Sequence, residues 1–180
     1  MQAAKHHVLL TTFSYGGNGG LSSEHPQVGR WITKTTLSAR DNPLVGRFDH
    51  YEMADTPITM ARNASVLLAR EIGADVLVMV DSDMSPDYLL GRDPSAKPFF
   101  ETALAFLDGR RQRGLETVIF SPYCGPSPHQ NPYCFLWRNQ ASGRPANHPD
   151  LKLEAYSREE ASAMVGIQAA AAGPTGLIMF

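Results

Sequence analysis

Apolar residues in this chain fall into two rhythms that alternate: short unbroken runs, and runs that return every three or four positions. Val8-Leu9-Leu10-Thr11-Thr12-Phe13 is an unbroken apolar and β-branched run, suited to a strand buried on both faces. The mixed pattern from Pro26 to Arg40 predicts a helix, and Val45–His50 predicts a second, shorter strand. Apolar or small residues at Ile58, Ala61, Ala64, Leu68 and Ile72 then repeat at helical spacing. Thr56 suits the N-cap of that helix, Pro57 its first position and Gly73 its C-terminal stop. Asp75-Val76-Leu77-Val78-Met79-Val80 follows as a strand apolar on both faces, and with the helix before it forms most of a right-handed βαβ crossover. Pro98 to Arg113 predicts another helix, with Phe99, Ala103, Phe106 and Leu107 inward, and Thr117–Phe120 a further strand. This order predicts an α/β fold with a mostly parallel central sheet flanked by helices.

The last third of the chain reads differently. Ser121 to Pro149 is rich in Pro, Asn, Gly, His and aromatics, which predicts a long functional loop with one strand at Tyr133–Trp137. Ser157-Arg158-Glu159-Glu160 has the Ser-x-x-Glu spacing of a capping box opening a short helix. Pro174 to Phe180 predicts a final strand. No repeat or linker divides the chain, so residues 1–180 are expected to form one domain. Because domains seldom stop on an apolar strand, the expectation is a fragment whose C-terminal segment is missing.

Composition narrows the function classes. With 43% hydrophobic and 19% charged residues the chain is expected to be globular rather than disordered. A net charge of -2 leaves no electrostatic footprint for nucleic acid, so an anionic ligand must be held by a local device. Cys124 and Cys134 are ten residues apart and read as two reduced thiols of a cytoplasmic protein rather than a disulfide framework. No apolar run approaches the roughly 18–20 residues that span a bilayer, and no signal peptide is evident. Asn63-Ala64-Ser65 matches a glycosylation triplet but falls inside a predicted helix.

Candidate chemistry gathers at the ends of the predicted strands. Asp81-Ser82-Asp83 sets two carboxylates with one residue between them just past a buried strand, where like charges resist joint ionisation without a cation. Mg²⁺ or Mn²⁺ answers this with oxygen ligation that leaves room for substrate phosphates. The plain alternative is that Asp81 and Asp83 cap a turn. Ser14-Tyr15-Gly16-Gly17-Asn18-Gly19-Gly20 follows the first strand; Ser14, Tyr15 and Gly16 are candidates for meeting a nucleotide, against the reading of a surface turn. It is not a Walker loop, because no Gly-Lys-Ser/Thr follows. His6, His7, His25, His50, His129 and His148 lack metal-site spacing and are read as loop or surface residues. Tyr123-Cys124-Gly125-Pro126 with His129 either borders a pocket or is an ordinary Pro-rich loop.

From Thr56-Pro57-Ile58-Thr59-Met60-Ala61-Arg62-Asn63 through Gly73-Ala74-Asp75 to Asp81-Ser82-Asp83-Met84 the chain resembles nucleotide-sugar glycosyltransferases of the GT-A fold, family 2-like, of bacterial and phage type. Gly173-Pro174-Thr175-Gly176 resembles a later strand of that family more loosely. The resemblance implies a single GT-A (Rossmann-like) domain and a metal-dependent glycosyltransferase, hexosyltransferase-like, using a nucleotide-diphosphate sugar and an acceptor not readable here. It implies Asp83 as a direct ligand of Mn²⁺ or Mg²⁺, and Asp81 on the metal or the ribose. It gives Arg62 and Asn63 a place in the same pocket, Arg62 contacting phosphate or orienting the aspartates; a salt bridge from Arg62 to Asp55 or Glu71 is the alternative. The glycine-rich turn departs from the family's usual apolar or Pro-containing turn, and the segment expected to carry the catalytic base would follow Phe180. Two rivals stand: a nucleotidyltransferase acting on sugar phosphates, against which the lack of Lys or Arg in Ser14–Gly20 counts, and a non-catalytic binding module of the same fold.

Overall fold

A computed structural model describes residues 5–14, 26–54, 56–84, 86–87, 90–91, 94–121, 124–125, 133–134, 137–139, 153–157, 159–160, 163–164, 166–170, 173 and 176–180. The chain divides into two compact units, Met1–Ile119 with Gly176–Phe180, and Phe120–Thr175. In chain order the elements are β1 (His6–Ser14), α1 (Pro26–Asp41), β2 (Val45–Ala54), α2 (Ile58–Ile72), β3 (Val76–Asp81), α3 (Phe99–Arg111), β4 (Ile119–Phe120), β5 (Cys124–Gly125), β6 (Tyr133–Cys134), β7 (Trp137–Asn139), β8 (Leu153–Ala155) and β9 (Leu177–Met179).

The sheet runs β2-β1-β3-β9-β4. Strand β1 pairs parallel with both β2 and β3, while β9 returns antiparallel on β3, with Val78 opposite Met179 and Val80 opposite Leu177. The sheet is therefore mixed, and the expectation of a mostly parallel one is corrected. An antiparallel neighbour needs no crossover helix, so an apolar run such as Leu177–Met179 does not reveal its own direction. Strand β2 was expected to be short and instead extends to Ala54, because β1 pairs with it as far as Ser14.

Two apolar layers cover the sheet. The even-numbered Val8, Leu10, Val76, Val78 and Val80 pack against Val28, Trp31 and Ile32 of α1 and against Phe100, Leu104 and Leu107 of α3. The odd-numbered Leu9, Phe13, Leu77 and Met79 pack against Ala61 and Ala69 of α2. This is the period of two of a strand buried on both faces. Helix α2 meets the sheet through Ala61, Ser65 and Ala69, whose small side chains allow close approach; Ser65 Oγ donates back to the Ala61 carbonyl at 2.9 Å. Of the residues expected inside α3, Phe106 is 38% exposed, and Phe100 and Leu104 are buried in its place. Phe100 meets Phe48 of β2 edge-on, at 5.9 Å between ring centres.

Helix ends follow local chemistry. Gly73 stops α2 at φ 71°, with the Ala74 N–H donating to the Ala69 carbonyl at 2.8 Å. The N-terminus departs from expectation. Pro57 occupies the cap with extended backbone, and its carbonyl accepts the Ala61 N–H at 2.9 Å. Thr56 Oγ1 turns back to the Ala54 carbonyl at 3.1 Å and leaves the helix uncapped by a side chain. In the second unit the capping box is formed: the Ser157 N–H donates to Glu160 Oε2 at 2.8 Å and the Glu160 N–H to Ser157 Oγ at 3.1 Å.

At the amino ends of β1 and β3, His6 is buried and lies between two carboxylates, Nδ1 at 2.7 Å from Asp75 Oδ2 and Nε2 at 3.1 Å from Asp108 Oδ1. His7, also in β1, places Nε2 2.7 Å from Asp49 Oδ2. These two are partly or fully buried strand residues rather than the loop or surface residues expected, whereas His50 in β2 is exposed, as expected of a surface residue; His25, His129 and His148 lie outside the described residues. Burial pushes the Asp75 carboxyl up, but hydrogen bonds from the His6 ring and the His7 backbone, with the charges of His6 and Arg111, outweigh it and hold Asp75 below its ordinary value. A depressed folded-state value stabilises the fold above the ordinary carboxylate range, and that contribution is lost as pH falls through it. Asp75→Asn is expected to lower the melting temperature at pH 7, and the gap from wild type to shrink as the solution is acidified below about 4, read by thermal denaturation across pH.

Candidate functional site

Strand order decides where a ligand would sit. From β1 the chain goes out through α1 to β2, then back across β1 through α2 to β3, so the direction of winding reverses between β1 and β3. Open α/β sheets bind ligands outside the carboxyl ends of strands at such a point. Here those ends are Phe13-Ser14 and Asp81-Ser82, joined by the Ser82 N–H donating to the Phe13 carbonyl at 3.0 Å.

Asp81 continues the odd-numbered row of β3 after Leu77 and Met79, which points its side chain at α2. Arg62 follows Ile58 by four positions and precedes Ser65 by three, on the helix face turned to the sheet. The two meet: Arg62 Nη2 donates to Asp81 Oδ1 and Oδ2, both at 3.0 Å. The guanidinium carbon also lies 5.8 Å from the centre of the Phe13 ring, a cation–π contact. Arg62 therefore pairs with Asp81 rather than Glu71, and Asp55 lies outside the described residues. Burial pushes the Asp81 carboxyl up, Arg62 pulls it down by charge and hydrogen bond, and Asp83 adds to the rise; the net shift is upward.

Beyond β3 the chain turns tightly, the Met84 N–H donating to the Asp81 carbonyl at 3.1 Å. Met84 is buried, and Asp83 is exposed, with no side-chain hydrogen bond or ion pair to a described residue. Gly176 backs this turn: its carbonyl accepts the Asp81 N–H at 2.8 Å, and a Cβ there would stand 2.7 Å from Met84 Sδ. That close approach is a physical reason for glycine in the Thr175-Gly176 pair, although Thr175 itself lies outside the described residues.

On the opposite face of the same edge, Ser14 Oγ donates to Glu52 Oε1 at 2.5 Å, and Thr12 Oγ1 lies 3.2 Å from His50 Nε2. Burial lowers the His50 value, with Glu52 opposing. Glu52 was not singled out from the sequence, and His50 only as a loop or surface residue. The observed register puts Glu52 level with Thr12. Asn63 is exposed on α2, next to Arg62 but off its inward face, and Tyr15 and Gly16 lie outside the described residues.

Among the described residues no group of three or more His, Cys, Asp or Glu side chains gathers to hold a metal. A hard cation here would take one or two carboxylates and draw its other oxygens from ligand phosphate and water, which is how Mg²⁺ is commonly held. The donor set of Asp81 and Asp83 fits that habit. Among the described residues no helix is long and apolar enough to cross a membrane. No protein-family model, curated protein or solved structure matches the chain.

Removing Arg62 leaves a part-buried carboxylate without this partner. Arg62→Met is expected to cost about 1–3 kcal/mol at pH 7, less at pH 4.5 where Asp81 is more protonated, and to be largely rescued by adding Asp81→Asn, all read by urea denaturation.

Proposed function

We propose that this chain is a metal-dependent glycosyltransferase of GT-A type, binding the diphosphate of a nucleotide sugar at the β1/β3 edge. The observation that carries the reading is the Arg62–Asp81 ion pair at the winding reversal, with Asp83 exposed one turn beyond it. A lone Asp-x-Asp is a common turn. One whose first carboxylate is fixed by a helix arginine, while the second is left open to solvent at the carboxyl edge, is arranged to receive something.

In this reading Asp83 is the direct ligand of Mn²⁺ or Mg²⁺, and Asp81, already engaged by Arg62, acts through water or by exchange with the guanidinium. The cation would supply Lewis-acid stabilisation of charge on the leaving diphosphate. The chain's own residues bind and orient. Arg62 holds Asp81 in one rotamer and adds positive charge beside the phosphates. The Ser14–Glu52 pair offers polar contacts at the neighbouring strand ends. The whole chain would serve as one donor-binding domain, cytoplasmic on the compositional grounds above.

Calorimetry with UDP- and GDP-sugars, with and without Mn²⁺, tests the reading. Binding is expected only with metal, and Asp83→Ala is expected to weaken it at least about tenfold without lowering the melting temperature. Preference for a nucleoside triphosphate would favour a nucleotidyltransferase. No binding of any nucleotide, or binding indifferent to metal and to Asp83, would sink the assignment.

A further inference from the structure

Four residues beyond Asp83, the chain passes through Asp87 at φ 57°, the left-handed region that a side chain other than glycine rarely enters. Among the described residues Asp87 is the only non-glycine there. Such backbone costs of order 1 kcal/mol or more and persists only where the surroundings over-determine it. The surroundings are visible. The Trp31 Nε1–H donates to Asp87 Oδ2 at 2.9 Å, and the Phe99 backbone N–H donates to Oδ1 at 2.8 Å. Trp31 is a buried residue of α1 and Phe99 is the first residue of α3, so one carboxylate ties two helices to the segment leaving the Asp-x-Asp turn. The Asp87 carbonyl is also engaged, accepting the Leu90 N–H at 2.9 Å.

A turn that needed only to change direction would be served by glycine, without the strain and without burying a carboxylate. Burial does push the Asp87 carboxyl up, against the pull of the Phe99 and Trp31 N–H groups. The other end of this short stretch is fixed as well, by Met84, buried against Gly176 and bonded through its N–H to Asp81. Only residues 85 and 86 separate Met84 from Asp87, and Pro86 has its own φ locked by its ring. Asp83 thus stands immediately before a stretch pinned at both ends.

We propose that Asp87 is a positioning residue for the Asp81–Asp83 cation site, fixing the backbone that carries Asp83 by anchoring it to α1 and α3. This rests on the cation-binding reading above. Asp87 touches neither cation nor nucleotide; it limits where the Asp83 carboxylate can go, as second-layer groups do around many metal sites.

Mn²⁺ alone is the probe, titrated into wild type, Trp31→Phe, Asp87→Gly and Ser38→Ala. Trp31→Phe removes the N–H donor and, with it, part of a buried ring, so its effect is read beside that of Asp87→Gly. Asp87→Gly removes the carboxylate while leaving the left-handed backbone free of strain. Ser38→Ala is the structural control, because Ser38 Oγ bonds Glu101 and also ties α1 to α3, without a hydrogen bond to Asp87. Trp31→Phe and Asp87→Gly are expected to weaken Mn²⁺ binding about tenfold and to change the water-proton relaxation of the bound ion as its protein ligation loosens. Ser38→Ala is expected to lower the melting temperature yet bind Mn²⁺ as wild type does. Unchanged Mn²⁺ affinity in both test variants, or equal weakening in Ser38→Ala, overturns the positioning role and leaves the cation site standing. Failure of wild type to bind Mn²⁺ overturns the cation reading and this inference together.

Discussion

A carboxylate at the end of a strand whose other residues are all sealed from water carries a desolvation cost, and in this fold the Arg62–Asp81 pair offsets it. The pair needs both alternations at once. Asp81 faces α2 because β3 keeps its period of two to the last residue, and Arg62 faces β3 because α2 keeps its apolar stripe through the second turn. Slide β3 by one residue and the aspartate would face α1 and α3, where this arginine cannot follow. Register, helix placement and site geometry are therefore one constraint. The net rise at Asp81 reflects burial, with the charge of Asp83 added, outweighing the arginine.

Much of this was legible in the residues themselves. The first and third strands, the three helices, the Gly73 stop and the Ser157–Glu160 capping box all rest on local chemistry, and local chemistry is what a sequence displays. What escaped was non-local. Nothing within Leu177–Met179 states that it lies antiparallel on β3, since direction depends on the partner. Phe106 and Phe100 are equally apolar, and which one α3 buries depends on where Phe48 and α1 stand. Thr56 is chemically fit for an N-cap, but the extended backbone of Pro57 takes that position first.

The candidate site divides the same way. Asp81 and Arg62 lie nineteen residues apart, on elements whose faces follow from periodicity, so their meeting could be expected. Glu52 meets Ser14 across strands thirty-eight residues apart, in a register set by the length of β2, which alternation past His50 did not make plain. Trp31 and Phe99 reach Asp87 from fifty-six and twelve residues away. No motif carries a contact of that kind.

Charge within the turn explains why two similar aspartates are not equivalent. Asp81 has its charge answered inside the protein, by a guanidinium that also rests on the Phe13 ring. Asp83, exposed two residues on, finds no such answer among the described residues, and its charge adds to the rise at Asp81. On the proposed reading, a positive ion arriving from solvent would meet Asp83 first and gain from Asp81 by proximity. An anionic ligand arriving on that ion would bring its charge toward Arg62 as well. On the reading proposed above, a fixed cationic residue behind and an open anionic one in front would favour a cation and a phosphate together over either alone.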